Sequence, residues 1–348
     1  FRLGGDEFVV VLPNATEQEC IAVTEKILDK FQTPFLLDDH EIIVTASIGI
    51  SIYPIHGHSY EELFKYADAA MYLAKEGGKN GYRFYDDDLS QTMSRRMRIE
   101  SDLRKAIEED QLEIFYQPKI DLRTEKVIGM EALLRWRHSD LGWLSPAEFI
   151  PVAEETGQIV SIGEWVLTQA CKQNKLWQEK GLPEVSISVN VSVRQLQQGT
   201  FPAVVEQALD ASGLEPHLLE IEVTESIMQN TMESTEILSH LRKRGIKVAI
   251  DDFGKGYSSL HMIRQLPIDT IKLDKTFIDD IGDETQQAMV RTIIDLGLNL
   301  NLNVVAEGIE SDYQLKKLIE SGCRLGQGYL FSRALRAEKV EGILRERT

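Results

Sequence analysis

The stretch VAIDDFGKGYSSL, Val248–Leu260, sets the frame for the rest of the chain. Its apolar start, Val248 to Ile250, reads as a short buried strand. It stops on two adjacent carboxylates, Asp251 and Asp252, and enters a loop carrying Gly254 and Gly256. A buried strand that finishes on paired acids implies that something positive binds at its end. Working outward, seven further short apolar runs read as strands: Leu112–Tyr116, Val127–Leu134, Val185–Val189, Leu218–Val223, Thr270–Leu273, Asn303–Ala306 and Leu325–Leu330. Helical patterns fall between most of them, at Ile159–Gly181, Phe201–Ser212, Thr231–Arg244, Thr285–Leu298 and Asp312–Ser321. This alternation predicts an α/β fold. Eight strands in that length fit a TIM-type barrel, with an open doubly wound sheet as the alternative. The link from Asp121 to Lys126 is too short for a helix and suits an antiparallel pair.

Upstream, residues 1–86 form a separate block. FRLGGDEFVVVLP reads as strand, turn at Gly4-Gly5, strand. Helical patterns over Thr16–Phe31 and Ser59–Lys75 flank a β-branched run, Ile42–Tyr53, and Gly81–Tyr85 reads as a last short strand. Asp86, Asp87 and Asp88 mark a polar break. A charged helix over Ser94–Glu109 follows, either a linker or the first helix of the next domain. The expected division is 1–86, a linker at 87–97, and 98–348. The chain opens in mid-pattern on Phe1, which reads as a piece of a longer protein.

Of the 348 residues, 43% are hydrophobic and 27% charged, enough for a large core in a soluble protein. The net charge of -18 disfavours duplex nucleic acid or an anionic membrane as partner. The three cysteines, Cys20, Cys171 and Cys323, lack metal-ligand spacing and imply reduced thiols. With no membrane-length apolar run and no signal peptide, the expected location is cytoplasmic, although regions outside this chain could anchor a parent protein.

Polar residues recur at strand ends: Glu131, Asn190, Glu222, Asp251 and Asp252, Lys272, Glu307 and Gln327. Singly, an acid after a strand is commonly a cap, Asn190 a turn former and Lys272 a snorkelling side chain. Independent caps need not fall on so many strands, and in a barrel such ends converge on one mouth. Gathered carboxylates repel, and divalent cations relieve them. Oxygen ligands without clustered His or Cys favour Mg²⁺ or Mn²⁺, and so many acids imply two ions, a device for in-line hydrolysis of phosphate esters. Lys272 would then orient the attacking water or offset phosphate charge. His56 and His58 lack partner ligands. Trp136, Trp165 and Trp177 read as packing residues.

These motifs resemble the EAL-domain cyclic-di-GMP phosphodiesterases: EALLRW at Glu131–Trp136, YQPK near Tyr116, SVNVS around Asn190, EVTES from Glu222, DDFGKGYSSL from Asp251, IKLD from Ile271, VVAEGIE from Val304 and QGYLFS from Gln327. The resemblance implies a modified TIM barrel with one antiparallel strand. It implies a metal set of Glu131, Asn190, Glu222, Asp251, Asp252 and Glu307 for two Mg²⁺ or Mn²⁺ ions. Lys272 matches the lysine near the nucleophilic water, and Glu307 shares in activating that water. Gln117, Arg135 and Gln327 match substrate-contacting or site-ordering positions, and Glu310 a further acidic one. Glu225 matches the acid that holds the loop after Asp252. The implied product is linear pGpG. Ala334 stands where the family usually has proline, outside these positions.

Residues 1–86 resemble the C-terminal half of a GGDEF diguanylate cyclase domain, an incomplete α+β unit. The signature Gly4, Gly5, Asp6, Glu7 and Phe8 carries this, with TASIGISIYP and ADAAMYLAKEGGKNGYRFYD. The matching half-domain implies exposed apolar surface, and no cyclase activity in this chain. A complete domain in the parent would bind GTP. The resemblance further implies an EAL-mediated homodimer, coupled to the site through the loop Phe253–Ser259. The leading expectation is a hydrolase. The alternatives are a receptor that holds cyclic-di-GMP uncut, or a bifunctional cyclase/phosphodiesterase in the full-length parent.

Overall fold

The computed structural model describes every residue except 38–39, 77–79, 230, 255–259 and 347–348. Two compact units divide the chain, Phe1–Ser101 and Asp102–Thr348.

Among its described residues the second unit is built on nine strands: β1 (Leu112–Asp121), β2 (Val127–His138), β3 (Gly142–Leu144), β4 (Ser186–Asn190), β5 (Leu219–Thr224), β6 (Lys247–Phe253), β7 (Thr270–Leu273), β8 (Asn303–Ala306) and β9 (Leu325–Gly326). Eight close into a ring in the order β1-β2-β4-β5-β6-β7-β8-β9 and back to β1, while β3 pairs with the far end of β2. β1 runs antiparallel to both ring neighbours, and the other ring pairs are parallel. The barrel reading therefore holds over the open sheet. The antiparallel strand follows from the tight turn after Asp121, whose Oδ1 accepts the Arg123 and Thr124 amides at 3.1 and 3.0 Å. So few residues cannot cross over the sheet, and the chain must double back.

The helices fall close to their expected places, at Ile159–Glu179, Phe201–Ser212, Thr231–Lys243, Glu284–Asn299 and Asp312–Glu320. Their apolar faces pack on the outside of the ring; Leu273, Val304 and Ala306 of the sheet meet Ile278, Val290, Ile294 and Leu318. β9 is shorter than the expected Leu325–Leu330. After Gln327 donates its amide to the Ala306 carbonyl, the chain leaves the sheet, and Gly328 lies directly on the Ile309 backbone. A side chain there would collide with that backbone, so the glycine makes the turn-out geometry available.

The first unit has only short pairings. Arg2–Gly4 pairs with Glu7–Phe8, Phe35–Leu37 with His40–Ile42, and Ser47–Ile50 with Gly81–Phe84, the last in parallel. Helices Glu17–Gln32 and Tyr60–Glu76 accompany them, the first opened by a capping box between Thr16 and Glu19. The hairpin at Gly4-Gly5 forms, but its second strand ends at Phe8: Val10 and Val11 lie outside it and are each 62% exposed. The charged helix begins earlier than expected and spans Asp87–Leu103, so the segment 87–97 is helical. His56 has a local task, accepting the Ile52 amide at 2.9 Å.

Cys171 and Cys323 are free and buried, their thiols pushed up by burial to about 12 and about 11. Cys20 is also free. Among the described residues no helix is long and apolar enough to cross a membrane.

Candidate active site

The inner face of the ring is polar, and the strand period explains how. Residues two apart point to the same side. Gln117 and Lys119 on β1, Ser188 and Asn190 on β4, Glu220 and Glu222 on β5, and Thr270 and Lys272 on β7 are such pairs. Their hydrogen bonds show two tiers. In the lower one, Glu220 accepts from Lys119 Nζ at 2.6 Å, Ser188 Oγ at 2.7 Å and Thr270 Oγ1 at 2.9 Å. The upper one centres on Lys272, which is 1% exposed. Its ammonium lies 2.5 Å from Glu222, 2.8 Å from Glu307, 3.2 Å from Asp251 and 3.5 Å from Glu131.

Asp251 and Asp252 owe their shared direction to a bulge. β6 pairs with β7 at Ile250↔Ile271 and next at Phe253↔Leu273, so two aspartates stand opposite the single Lys272. In a regular strand, neighbouring side chains point to opposite faces. Here Asp252 takes a left-handed conformation, φ 54°, which aspartate tolerates better than most residues. Carboxylate oxygens of both aspartates and of Glu307 lie within 4.8 Å of one another. A second group with the same spacing joins Glu131, Glu222 and Asp251. The two groups share Asp251.

The remaining candidates divide into those inside and those outside this cluster. Asn190 donates from Nδ2 to Glu131 Oε1 at 2.8 Å. Gln327 donates from Nε2 to Glu131 Oε2 at 2.6 Å and to Gln117 Oε1 at 3.0 Å. Gln117 in turn donates to the Ser332 carbonyl at 3.1 Å. The buried Gln327 Oε1 has no hydrogen-bond partner among the described residues, an acceptor open to an incoming donor. Glu225 Oε2 accepts the Gly254 amide at 3.0 Å, fastening the chain just after the bulge. Gly254 has φ 100° and sits against the Phe277 ring, where a side chain would collide. The rest of that loop, from Lys255 to Ser259, lies outside the described residues. Arg135 is partly buried, its guanidinium 5.8 Å from the Phe115 ring centroid and bonded to the Leu134 carbonyl. Glu310 is not gathered in: its exposed carboxylate pairs with Lys275 at 2.6 Å.

Electrostatics follow from this crowding. Burial works against a charge on Lys272, but Glu131, Glu222, Glu307 and Asp251 outweigh it and hold its ammonium well above the ordinary lysine range. Burial raises Glu307, Lys272 pulls it down, and Asp251 and Glu131 push it up again, to about 8. Carboxylates therefore exceed the cationic charge available, as expected of a site built for added cations.

The EAL domain model matches residues 100–334, and the diguanylate cyclase GGDEF domain model matches residues 1–81. A solved structure described as PaMucR phosphodiesterase in complex with c-di-GMP is 42% identical, with a TM-score of 0.68, and the match covers 70% of this chain and 99% of that one. The chain belongs to the EAL domain family. Its barrel is an EAL barrel, preceded by a partial GGDEF region in a tandem arrangement. The bifunctional diguanylate cyclase/cyclic di-GMP phosphodiesterase MucR of Pseudomonas aeruginosa is 41% identical over 341 residues, 97% of this chain and 50% of that protein. The cyclic di-GMP phosphodiesterase PdeR of Escherichia coli is 37% identical over 342 residues, 98% of this chain and 51% of that protein. The chain thus spans about half the length of these curated relatives.

The strand-end reading of the EAL barrel missed its lower tier. Lys119 lies beyond the expected strand Leu112–Tyr116, and Glu220 lies one alternation before Glu222, so neither falls at a strand's C-terminal end as the sequence defines it. The signal was present in LEIEV, where Glu220 and Glu222 repeat at the strand period on one face, and in YQPK, where Lys119 follows Gln117 by two.

Proposed function

We propose that the EAL barrel is a metal-dependent phosphodiesterase that hydrolyses cyclic-di-GMP to linear pGpG. The observation that carries this is the pair of carboxylate groups sharing Asp251 around Lys272. The donor set suits the ions: oxygen ligands with one amide, no thiol or imidazole, and more negative than positive charge. Glu131, Glu222 and Asp251 would hold one Mg²⁺ or Mn²⁺; Asp251, Asp252 and Glu307 would hold the other, with Asn190 beside Glu131. Bound divalent ions supply a water of lowered pKa and offset charge on the phosphate oxygens.

The chain's own groups do the rest. Lys272 keeps a fixed positive charge beside the acids and stands ready to orient the water or meet a phosphate oxygen. Glu307, 2.8 Å from Lys272 and grouped with Asp251 and Asp252, is placed to take the proton released by the attacking water. Gln327 and Gln117 brace Glu131, and the free Gln327 Oε1 offers an acceptor to the substrate. Arg135 supplies a cation for a phosphate. Glu225 keeps the chain after Asp252 in shape through Gly254. Glu310 would act at the substrate only after leaving Lys275.

For the whole protein, the match of residues 1–81 supports a GTP site in a complete GGDEF domain, and family resemblance supports an EAL-mediated homodimer. We retain 1–86, 87–97 and 98–348 as domain, linker and domain. The test of the main reading is incubation of the purified chain with cyclic-di-GMP, with Mg²⁺ or Mn²⁺ omitted and restored, and chromatography of the products. Metal-dependent pGpG is the expected result. A folded chain that binds the dinucleotide and releases no pGpG over hours would establish the receptor instead.

A further inference from the structure

The lower tier has no part in the chemistry just described, yet it touches the upper tier at one point. Lys119 Nζ lies 2.6 Å from Glu222 Oε1, on the opposite carboxylate oxygen from the one that faces Lys272. It also donates to Glu220 at 2.6 Å and to Ser188 Oγ at 2.5 Å. Lys119 is 2% exposed, Glu220 5% and Glu222 0%. All three donor directions of the ammonium are therefore used, in a place where water cannot substitute.

We propose that Lys119 is a positioning residue for the metal centre: it binds Glu222 Oε1 from below, so that Glu222 offers only Oε2 to a metal ion. Glu220 is the counter-charge that keeps the ammonium there, and Ser188 and Thr270 fix Glu220 in turn. Burial opposes the charge on Glu220, but the Lys119 ammonium and the three hydrogen bonds outweigh it and hold the carboxyl down at about 2. Without Lys119, Glu222 keeps only the Lys272 contact on Oε2, and Oε1 can turn toward an ion as well. The inference rests on the two-metal reading given above and adds a residue to it that contacts neither ion nor substrate.

A purely structural ion pair would alter stability and leave metal binding unchanged, so the test reads both. Lys119→Met/Glu220→Met replaces the pair by apolar side chains of similar length, an exchange that buried ion pairs often tolerate. Mn²⁺ affinity is measured by calorimetry on the full 348-residue chain without substrate, with thermal unfolding alongside. The expected result is a folded double variant whose Mn²⁺ dissociation constant is raised about 10- to 100-fold, the range for groups that orient metal ligands. Its KM for cyclic-di-GMP at saturating Mn²⁺ stays unchanged. Glu220→Gln keeps the shape and an acceptor for Lys119 while removing the charge, and should weaken Mn²⁺ about threefold or more. Should the double variant fail to fold, Glu220→Gln decides alone. Folded variants with Mn²⁺ affinity within about twofold of the unmodified chain, a difference under ~0.5 kcal/mol, overturn the role of Lys119 and leave the hydrolase standing. An unmodified chain that binds no Mn²⁺ overturns the two-metal reading, and this inference with it.

Discussion

The two units solve the same problem with different success. Both place helices against β-strands, and both contain parallel pairings. In Asp102–Thr348 the strands close on themselves, so each ring strand has a neighbour on either side. In Phe1–Ser101 the parallel pair Ser47–Ile50 and Gly81–Phe84 stands alone, and the other strands form separate two-stranded pieces. Val10, Val11, Leu36 and Ile43 are exposed there, whereas Ile187, Ile221, Ile250 and Ile271 of the ring are wholly buried. Among the described residues, the buried polar tiers lie in the closed unit. A charged interior is sustainable where the walls are complete and every charge has a partner.

The contrast breaks most sharply at the metal site. Glu131→Ala should lower turnover by more than about a hundredfold, since even groups that only orient metal ligands reach that range. Thermal unfolding of the barrel should change little. Asp251→Asn should behave likewise, and retention of most activity in either variant would contradict the site. Next in size is the core behind the ring. Ile294, 2% exposed, packs in that cluster, and Ile294→Ala should cost about 2–5 kcal/mol, read as a lowered denaturant midpoint. Leu73→Ala, in the small first-unit core with Ala70 and Tyr85, should leave the barrel's own transition in place.

Metal binding should depend on pH through Glu307. Its carboxyl is raised to about 8 in the folded, metal-free chain, so the native state binds more protons than the unfolded one between about 4.5 and 8. The stability this group contributes is therefore present at acid pH and lost as pH rises through that window. An ion must displace the proton, so Mn²⁺ affinity should rise with pH by up to about tenfold per unit between about pH 6 and 8. A flat profile by calorimetry would remove Glu307 from the site. The smallest effect is spectroscopic. Trp136, Trp143, Trp165 and Trp177 all lie in the second unit, so tryptophan fluorescence reports the barrel alone. On denaturation, far-ultraviolet circular dichroism should begin to change before fluorescence does. Coincident transitions would show the two units unfolding as one.

Much of the barrel was legible because its strands and helices obey simple periods. Thr270–Leu273 and Asn303–Ala306 were read to the residue, since each is a short apolar run with polar neighbours. β1 was read short because Gln117, Pro118 and Lys119 interrupt its hydrophobic pattern, although all three are inside the sheet. The expected strand Leu325–Leu330 is longer than β9 because Tyr329 and Leu330 suit a strand, while the approach of Gly328 to Ile309 is a tertiary fact. In the site, the acids and Lys272 near strand ends are visible one by one, whereas Lys119 is hidden because the expected strand stops at Tyr116, three residues short of it. In the first unit, FVVVLP carries a strand pattern that local preference cannot realise without a partner.

The bulge at Asp251 and Asp252 makes chain length part of the site's chemistry. One residue beyond the regular register is what turns two consecutive acids toward the same ions. A chain that had lost either aspartate would still show an acid after Ile250 and would pass a position-by-position inspection of its carboxylates. It would nonetheless contribute one acid where this chain contributes two, and one of the two neighbouring carboxylate groups would lose a member. In this fold a one-residue deletion can therefore silence a site that every single substitution nearby would leave recognisable.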